Sequence, residues 1–253
     1  MSETLAGRHA FVTGAGSGIG AAIARELAAR GARVSLAGRR VAKLQETATA
    51  LGLMAGEIVP LDVTDAGAVT RAIAGLSIPI DILVNNAGRA LSAPFAKTDP
   101  ALFDEMIGVN LRSVYLVTRA VLPQMQTRGT GRIINVASVA GLVGAAYVSA
   151  YTAAKHGVVG LTRALAAELA GTEITVNAVC PGYTDTAMVD DGAARVAEKT
   201  KLTADEARAR MAMSNPGGRL ITADEVAHAV AWLAEPGASA VNGQAIAVAG
   251  GAF

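Results

Sequence analysis

Tyr151 and Lys155 stand four residues apart at the start of a segment with helical periodicity. Residues at i and i+4 share a helix face, so a phenol and an ammonium would lie side by side there. A free tyrosine has a pKa of about 10, too high for a base at neutral pH. A neighbouring ammonium favours the phenolate and lowers that value, which makes the pair a candidate acid/base unit. Ser138 closes a predicted strand just upstream. In open α/β sheets ligands sit beyond the carboxyl ends of the strands, so the Ser138 hydroxyl and the Tyr151 phenol can converge on one carbonyl oxygen. Taken alone, the spacing also arises by chance, and a strand-end serine often just bonds backbone.

A second set of residues points to a dinucleotide. Thr13-Gly-Ala-Gly-Ser-Gly-Ile-Gly20 follows the first predicted strand and opens the first predicted helix. Gly14 allows a sharp turn, while Gly18 and Gly20 let backbone approach a pyrophosphate. The helix start then offers unpaired N–H groups and positive dipole charge to that anion. Ser17 adds no charge inside the loop. The residue closing the second strand selects the cofactor, because an acid there would bond the ribose hydroxyls and repel a 2′-phosphate. Here the chain reads Ala37-Gly38-Arg39-Arg40. Gly38 leaves room and Arg39 could pair with the phosphate. NADP(H) is therefore favoured, with NAD(H) left open.

The elements that would position these groups alternate along the chain. Strands are expected at His9–Thr13, Arg33–Ala37, Glu57–Leu61, Asp81–Asn85, Arg132–Ser138, Ile174–Val179 and Ala245–Val248. Helices are expected at Gly18–Arg30, Asp65–Leu76, Pro100–Val109, Leu111–Met125 and from about Tyr151 to Ala170. Thr222-Ala-Asp-Glu225 is a capping-box signature before a last helix carrying Val226, Val230 and Leu233 on one face. This order predicts an α/β fold, a doubly wound parallel sheet of Rossmann type with helices on both faces, built as a single domain over residues 1–253. One stretch, about Ala187–Arg219, holds two charged helical pieces and Asn215-Pro-Gly-Gly218. It is too long for an ordinary connection and is expected to be a lid or substrate loop.

Composition narrows the class of partner. The chain has 253 residues, 52% of them hydrophobic, and a formal net charge of +1 with no long run of one sign. That argues against nucleic acid or an anionic membrane surface as the main partner. Cys180 is the one cysteine, so no intrachain disulfide can form. Met1–Val12 lacks the pattern of a secretory signal, and a cytoplasmic location is expected. Ile133–Ala154 has no formal charge but is broken by Asn135, Ser138, Ser149, Tyr151 and Thr152. A buried strand, a loop and a helix start explain it better than a membrane span. His9, His156 and His228 are scattered with no partner at ligand spacing, so no metal site is expected.

At this point the sequence resembles the short-chain dehydrogenase/reductase family across essentially its whole length. The resemblance rests on Thr13-Gly14-x-x-x-Gly18-Ile19-Gly20, Asn85-Asn86-Ala87-Gly88, Asn110, Ser138, Tyr151-x-x-x-Lys155 and Pro181-Gly182, in the family's order and at its spacing. It implies direct hydride transfer between a nicotinamide and a ketone or secondary alcohol, without a metal. Tyr151 would exchange the proton with the substrate oxygen, and Ser138 would hydrogen-bond that oxygen. Lys155 would lower the Tyr151 pKa and bind the nicotinamide ribose. Asn110 would keep a helix kink and a proton-passing water. Gly14, Ser17, Gly18, Ile19 and Gly20 would hold the pyrophosphate. Gly38, Arg39 and Arg40 would face the adenosine ribose, with Asp62 and Val63 against adenine. Asn86, Ala87 and Gly88 would line the adenosine side. Pro181, Gly182, Thr184 and Thr186 match the segment that holds the nicotinamide carboxamide. Members of the family are commonly homotetramers.

Leu142, Val143, Tyr147, Tyr183 and Met188 are candidates for a mostly apolar substrate wall. Gly129-Thr-Gly-Arg-Ile-Ile134 and Asn177-Ala-Val-Cys-Pro-Gly182 look like stretches of 3-oxoacyl reductases, 3-hydroxyacyl dehydrogenases and polyketide ketoreductases. A 3-oxoacyl thioester or similar hydrophobic ketone is the expected substrate. Lys199, Lys201, Arg208 and Arg210 could meet the phosphates of a coenzyme A or carrier-protein thioester, or form a solvated helix face. The alternatives are an NAD(H)-dependent dehydrogenase of another alcohol and, from another class, a non-catalytic dinucleotide-binding sensor. A sensor has no need of the Asn110, Ser138, Tyr151 and Lys155 set.

Overall fold

The computed structural model describes residues 4–52 and 58–252. Seven parallel strands form one sheet in the order β3-β2-β1-β4-β5-β6-β7. They are β1 (His9–Thr13), β2 (Arg33–Gly38), β3 (Ile58–Pro60), β4 (Ile82–Asn85), β5 (Thr130–Val136), β6 (Glu173–Pro181) and β7 (Ala245–Val248). The order reverses between β1 and β4, so the crevice beyond their carboxyl ends is where such a sheet takes ligand. Of the expected β3, Glu57 lies outside the described residues, as do Met1–Glu3 of the amino-terminal stretch.

Strand alternation explains why helices cover both faces. Ala10 and Val12 on β1, Ile82 and Val84 on β4, and Ile134 and Val136 on β5 enter one core cluster with helices α1 (Gly18–Ala29) and α9 (Ala223–Ala234). Their neighbours Phe11, Leu83 and Ile133 point the other way. They pack on α3 (Ala66–Ala74), α5 (Ser113–Arg128) and α6 (Ser149–Glu168). Side chains on a strand alternate between faces, so runs that are apolar at every position bury both. Helix α2 (Val41–Ala50) lies beside β2 and β3.

The helix starts carry their own signals. Asp65 caps α3 and Asp99 caps α4 (Pro100–Ile107), each accepting an amide bond from the first turn. The Thr222–Glu225 box at α9 forms in both directions, the threonine hydroxyl accepting the Glu225 amide and the carboxylate accepting the Thr222 amide.

Helix α2 is not among the expected helices, and two other places differ from expectation. The predicted break at Asn110 is instead a π-helical turn, Gly108–Arg112, that joins α4 to α5 without interruption. β5 ends at Val136, two residues short of Ser138, which stands in extended backbone beyond it. The stretch 187–219 holds the two expected helical pieces, α7 (Ala187–Lys199) and α8 (Ala204–Met213), followed by a turn. Its long connection is filled because α7 and α8 pack on each other. Among the described residues, no helix is long and apolar enough to cross a membrane. The uncharged stretch 133–154 forms most of β5, a short 3-10 turn and the start of α6.

Candidate active site

The cofactor end is sewn together by Thr13. Its hydroxyl donates to the Val84 carbonyl at 3.3 Å and accepts from the amides of Asn86 at 2.9 Å and Ala87 at 3.1 Å. The Asn86 side-chain amide donates back to the Thr13 carbonyl at 3.0 Å. The glycine loop and the Asn85–Gly88 loop therefore form one rim. Gly14 has φ +67°, a conformation that favours glycine. A Cβ on Gly20 would run into the Gly14 carbonyl oxygen, so the helix can start this close to the strand only with glycine there.

Ser17 at the N-cap of α1 makes no side-chain capping bond, and no acid lies in the first turn. The first amides of α1 are thus left for an outside anion, and a pyrophosphate fits the cradle. Beyond the tip of β2, the Arg40 guanidinium donates to the Ser17 hydroxyl at 3.0 Å. Asp62, at the tip of β3, accepts from the Thr64 hydroxyl at 2.7 Å and the Thr64 amide at 2.9 Å. Those bonds, with a smaller pull from Arg39, hold its carboxyl below the usual range. Gly38, Arg39, Arg40, Ser17 and Asp62 therefore gather at one end, with Val63 buried behind them. From the other side, the Thr186 methyl lies 3.1 Å from where a Gly18 Cβ would stand. The Gly182 amide donates to the Val248 carbonyl at 3.1 Å, and the Thr184 hydroxyl to the Gly182 carbonyl at 3.1 Å. Pro181 closes β6, and Ile19 packs partly buried against the core of the α1 face.

At the catalytic end, α6 brings up Tyr151 and Lys155. The phenol interacts with the Ser138 hydroxyl, which lowers its pKa, but desolvation is the larger effect and pushes that pKa up to about 12. The Lys155 Nζ lies 5.6 Å from the Tyr151 ring centroid and donates to the Val136 carbonyl at 2.8 Å. Lys155 is buried, and burial brings its own pKa down to about 8. The net shift of the Tyr151 pKa is thus opposite to the lowering expected from Lys155. Its ammonium is turned to a backbone carbonyl, and burial of the phenol wins.

Asn110 is fully buried inside the π-helical turn. Its amide donates to the carbonyls of Arg89 at 2.9 Å and Met106 at 3.0 Å, and its oxygen accepts the Arg89 amide at 3.2 Å. The Ser113 hydroxyl takes up the Val109 carbonyl at 2.7 Å. A wide turn of this kind loses regular i→i−4 bonds, and these side chains replace them. A Cβ on Gly88 would lie 2.7 Å from the Asn110 oxygen and 3.8 Å from the Lys155 Nζ. Asn110, Gly88 and Lys155 are therefore contiguous with Tyr151 and Ser138.

Two residues that the sequence did not single out help to build the substrate side. Asn215 is buried; its oxygen accepts the Tyr183 amide at 3.1 Å. Its amide group donates to the carbonyls of Tyr183 and Arg219, each at 2.8 Å. It fixes the loop after β6 to the turn after α8. Arg195 on α7 reaches across to the Ala90 carbonyl. Arg208, considered above for phosphates, instead pairs with Asp185 and Asp190. Val143, Tyr147, Tyr183 and Met188 all expose large apolar surface, and Tyr147 holds φ +66°. Cys180 is buried beside Ser138 and Lys155, and burial pushes its thiol up to about 11, so it stays protonated and inert. The three histidines lie apart, each with its own neighbours: His9 between Ser35 and the Pro79 carbonyl, His156 on the Thr152 carbonyl, and His228 beside Glu26.

Sequence and fold comparisons agree on what this site belongs to. Residues 8–196 match the family model of the short chain dehydrogenases. A protein assigned as the ketoacyl reductase of the monensin polyketide synthase in Streptomyces virginiae is 45% identical, with 96% of each chain covered. The cis-4-hydroxycyclohexanecarboxylate dehydrogenase of Sinomonas cyclohexanicum is 43% identical over 99% of this chain and 98% of its own. A crystallised variant of the actinorhodin polyketide ketoreductase, solved with NADPH, superimposes with a TM-score of 0.92 at 40% identity, covering 100% of this chain and 99% of that one. The chain belongs to the short-chain dehydrogenase/reductase family. It is an NAD(P)-dependent oxidoreductase that acts on CH–OH and keto groups.

Proposed function

We propose that this protein is an NADP(H)-dependent reductase of 3-oxoacyl thioesters or similarly hydrophobic ketones, in which Tyr151 is the proton donor. The observation that carries this is the convergence of Tyr151, Ser138, Lys155 and Asn110 at the end of the crevice, beside an apolar wall that is open to solvent. The bound nicotinamide would supply or accept the hydride. Tyr151, kept protonated by its surroundings, donates its phenolic proton to the carbonyl oxygen while the Ser138 hydroxyl holds that oxygen. The Lys155 ammonium spends one donor on Val136 and keeps two for the ribose and the relay. Asn110 holds the turn over which the proton is replaced from solvent.

Arg40 beside Ser17, with Arg39 and no acid at Gly38, supports the choice of NADP(H). The similarity to proteins named as ketoacyl and polyketide ketoreductases, together with the open apolar side chains, supports the substrate class. Phe103 on α4 and Tyr115 on α5 are also exposed, which suits a homotetramer, and sedimentation would count the subunits.

The test is the initial rate of reduced-cofactor loss with acetoacetyl-CoA, an aryl ketone and a sugar ketone, each run with NADPH and NADH. Fast turnover of the thioester with NADPH is expected. Turnover with NADH alone would overturn the role of Arg39 and Arg40. Turnover of only the sugar ketone would overturn the substrate class and leave an alcohol dehydrogenase of another kind.

A further inference from the structure

Arg195 sits on α7, half-buried, and reaches from it to the loop that follows Gly88. One terminal nitrogen reaches the Ala90 carbonyl at 3.4 Å, a long bond for an N–H donor. Its Nε is buried and has no partner. No carboxylate of the described residues lies within ion-pair distance of it. Arg128 and Arg132 also leave Nε buried without a partner, but the rest of each guanidinium is better met. Arg128 bonds the Ile80 carbonyl and pairs with Asp81, and Arg132 bonds the Gly131 and Glu173 carbonyls. On the same lid, Arg208 is neutralised by two carboxylates, and Arg219, just past it, by Glu225. Arg195 differs in having one long bond and no carboxylate for its whole charge, and an uncompensated half-buried charge is costly unless an anion completes it.

The position of Ala90 says where that ligand must lie. Its neighbour Arg89 is held through both backbone groups by the Asn110 side chain. Gly88, at most about 7 Å of chain from Ala90, abuts Asn110 and Lys155. The Arg195 guanidinium thus lies by the loop that leads into Gly88, Asn110 and Lys155, with donors free and no carboxylate paired to it among the described residues.

We infer that Arg195 is a substrate-binding residue that pairs with an anionic group, a carboxylate or a phosphate, carried by the ketone beyond its reacting carbonyl. This rests on the reductase reading above and sharpens its substrate class. A guanidinium fork matches either oxyanion in bidentate fashion, and a charge-assisted pair under a closing lid is worth far more than one in open water. Neutral ketones of the same shape would bind and react, but with higher KM.

The experiment compares acetoacetate, ethyl acetoacetate and acetoacetyl-CoA as substrates for the wild type, Arg195→Gln and Arg195→Lys, with NADPH. Arg195→Gln keeps a donor for the Ala90 carbonyl and removes the charge; Arg195→Lys keeps the charge and loses the fork. Arg195→Gln is expected to raise KM about tenfold or more for the charged substrate that is recognised. Its KM for the ethyl ester and for NADPH should stay unchanged, and Arg195→Lys should restore part of the loss. Loss confined to acetoacetate identifies the anion as a carboxylate close to the ketone. Loss confined to acetoacetyl-CoA identifies it as a phosphate on a longer arm. Equal KM changes for all three substrates, or none, would overturn the inference while leaving the reductase intact. A raised KM for NADPH would make Arg195 a cofactor ligand and overturn it too. A wild type that reduces none of the three would sink the reductase reading itself, and the inference with it.

Discussion

The two sides of the crevice are built by different means. The cofactor rim is held from within: Thr13 bonds three backbone groups, Asn86 bonds back, and Gly20 admits nothing larger. The helices expected to form the substrate lid are tied by one buried side chain, Asn215, at their base, and otherwise on the surface by Arg208 with two carboxylates. Buried, mutually satisfied polar groups fix one geometry, while exposed ion pairs exchange with water at little cost. The difference would suit the proposed ligands: a dinucleotide of constant shape would meet a rim that is already formed, and ketones of varied shape a face held mainly by surface ion pairs.

That contrast can be broken at the rim first. Gly20→Val is expected to destabilise the protein by about 3 kcal/mol or more, because its side chain would collide with the Gly14 carbonyl and the Asn86 amide. Cofactor binding, followed by nicotinamide fluorescence, should be lost even in whatever fraction folds. Unchanged binding would show that the rim is not preformed.

At the base of the 187–219 stretch, Asn215→Ala leaves the Tyr183 amide and the Arg219 carbonyl without their partner and takes one of two donors from the Tyr183 carbonyl, which keeps the Ile221 amide. A loss of about 2–3 kcal/mol is expected. KM for the ketone should rise several-fold with the cofactor Kd unchanged. A matching rise in the cofactor Kd would mean that lid and rim are one unit.

A smaller effect follows from the buried ammonium between the two sides. The folded pKa of Lys155, about 8, lies below its ordinary 10.5, so between these values the unfolded chain holds more protons and stability rises with pH. Tyr151 has the opposite sign. Its folded pKa of about 12 lies above the ordinary 10.0, so its contribution to stability is lost as pH rises through that window. In thermal unfolding, the gap between Lys155→Met and the wild type should narrow as pH climbs from 8 towards 10.5. A gap independent of pH would mean that the lysine is not desolvated. The smallest effect is expected for Arg208→Ala, which removes two surface ion pairs and should leave Tm unresolved from the wild type, with at most a change in the salt dependence of KM.

The same contrast governs how much could be read from the sequence. The rim was legible because its constraints are local: Gly14, Gly18 and Gly20 in a strand–turn–helix context announce close backbone approach. β1 and β7 fall at their expected bounds, and α9 follows its capping box. Tyr151, Ser138, Lys155 and Asn110 come together because β5, α6 and the π-helical turn meet at one sheet end, an outcome the strand order makes unavoidable. The roles of Asn215 and Arg195 were not legible: Asn215 stood out only as the head of a turn, and the partners Tyr183 and Ala90 lie 32 and 105 residues away. The π-helical turn falls where the resemblance implied a kink at Asn110, but the period of 3.6 by itself says nothing about one extra residue. The sign of the Tyr151 shift was missed for a related reason: spacing gives the neighbour of a charge, but burial and the carbonyl that claims the ammonium come from the fold.

The most direct test of the account is Tyr151→Phe, followed in two channels, NADPH binding and ketone turnover. The variant removes one oxygen and leaves the ring, the rim and the lid in place. NADPH affinity should equal that of the wild type, and turnover should fall by about 10²–10⁴. Reduction at the wild-type rate would contradict the central claim that the Tyr151 phenol delivers the proton.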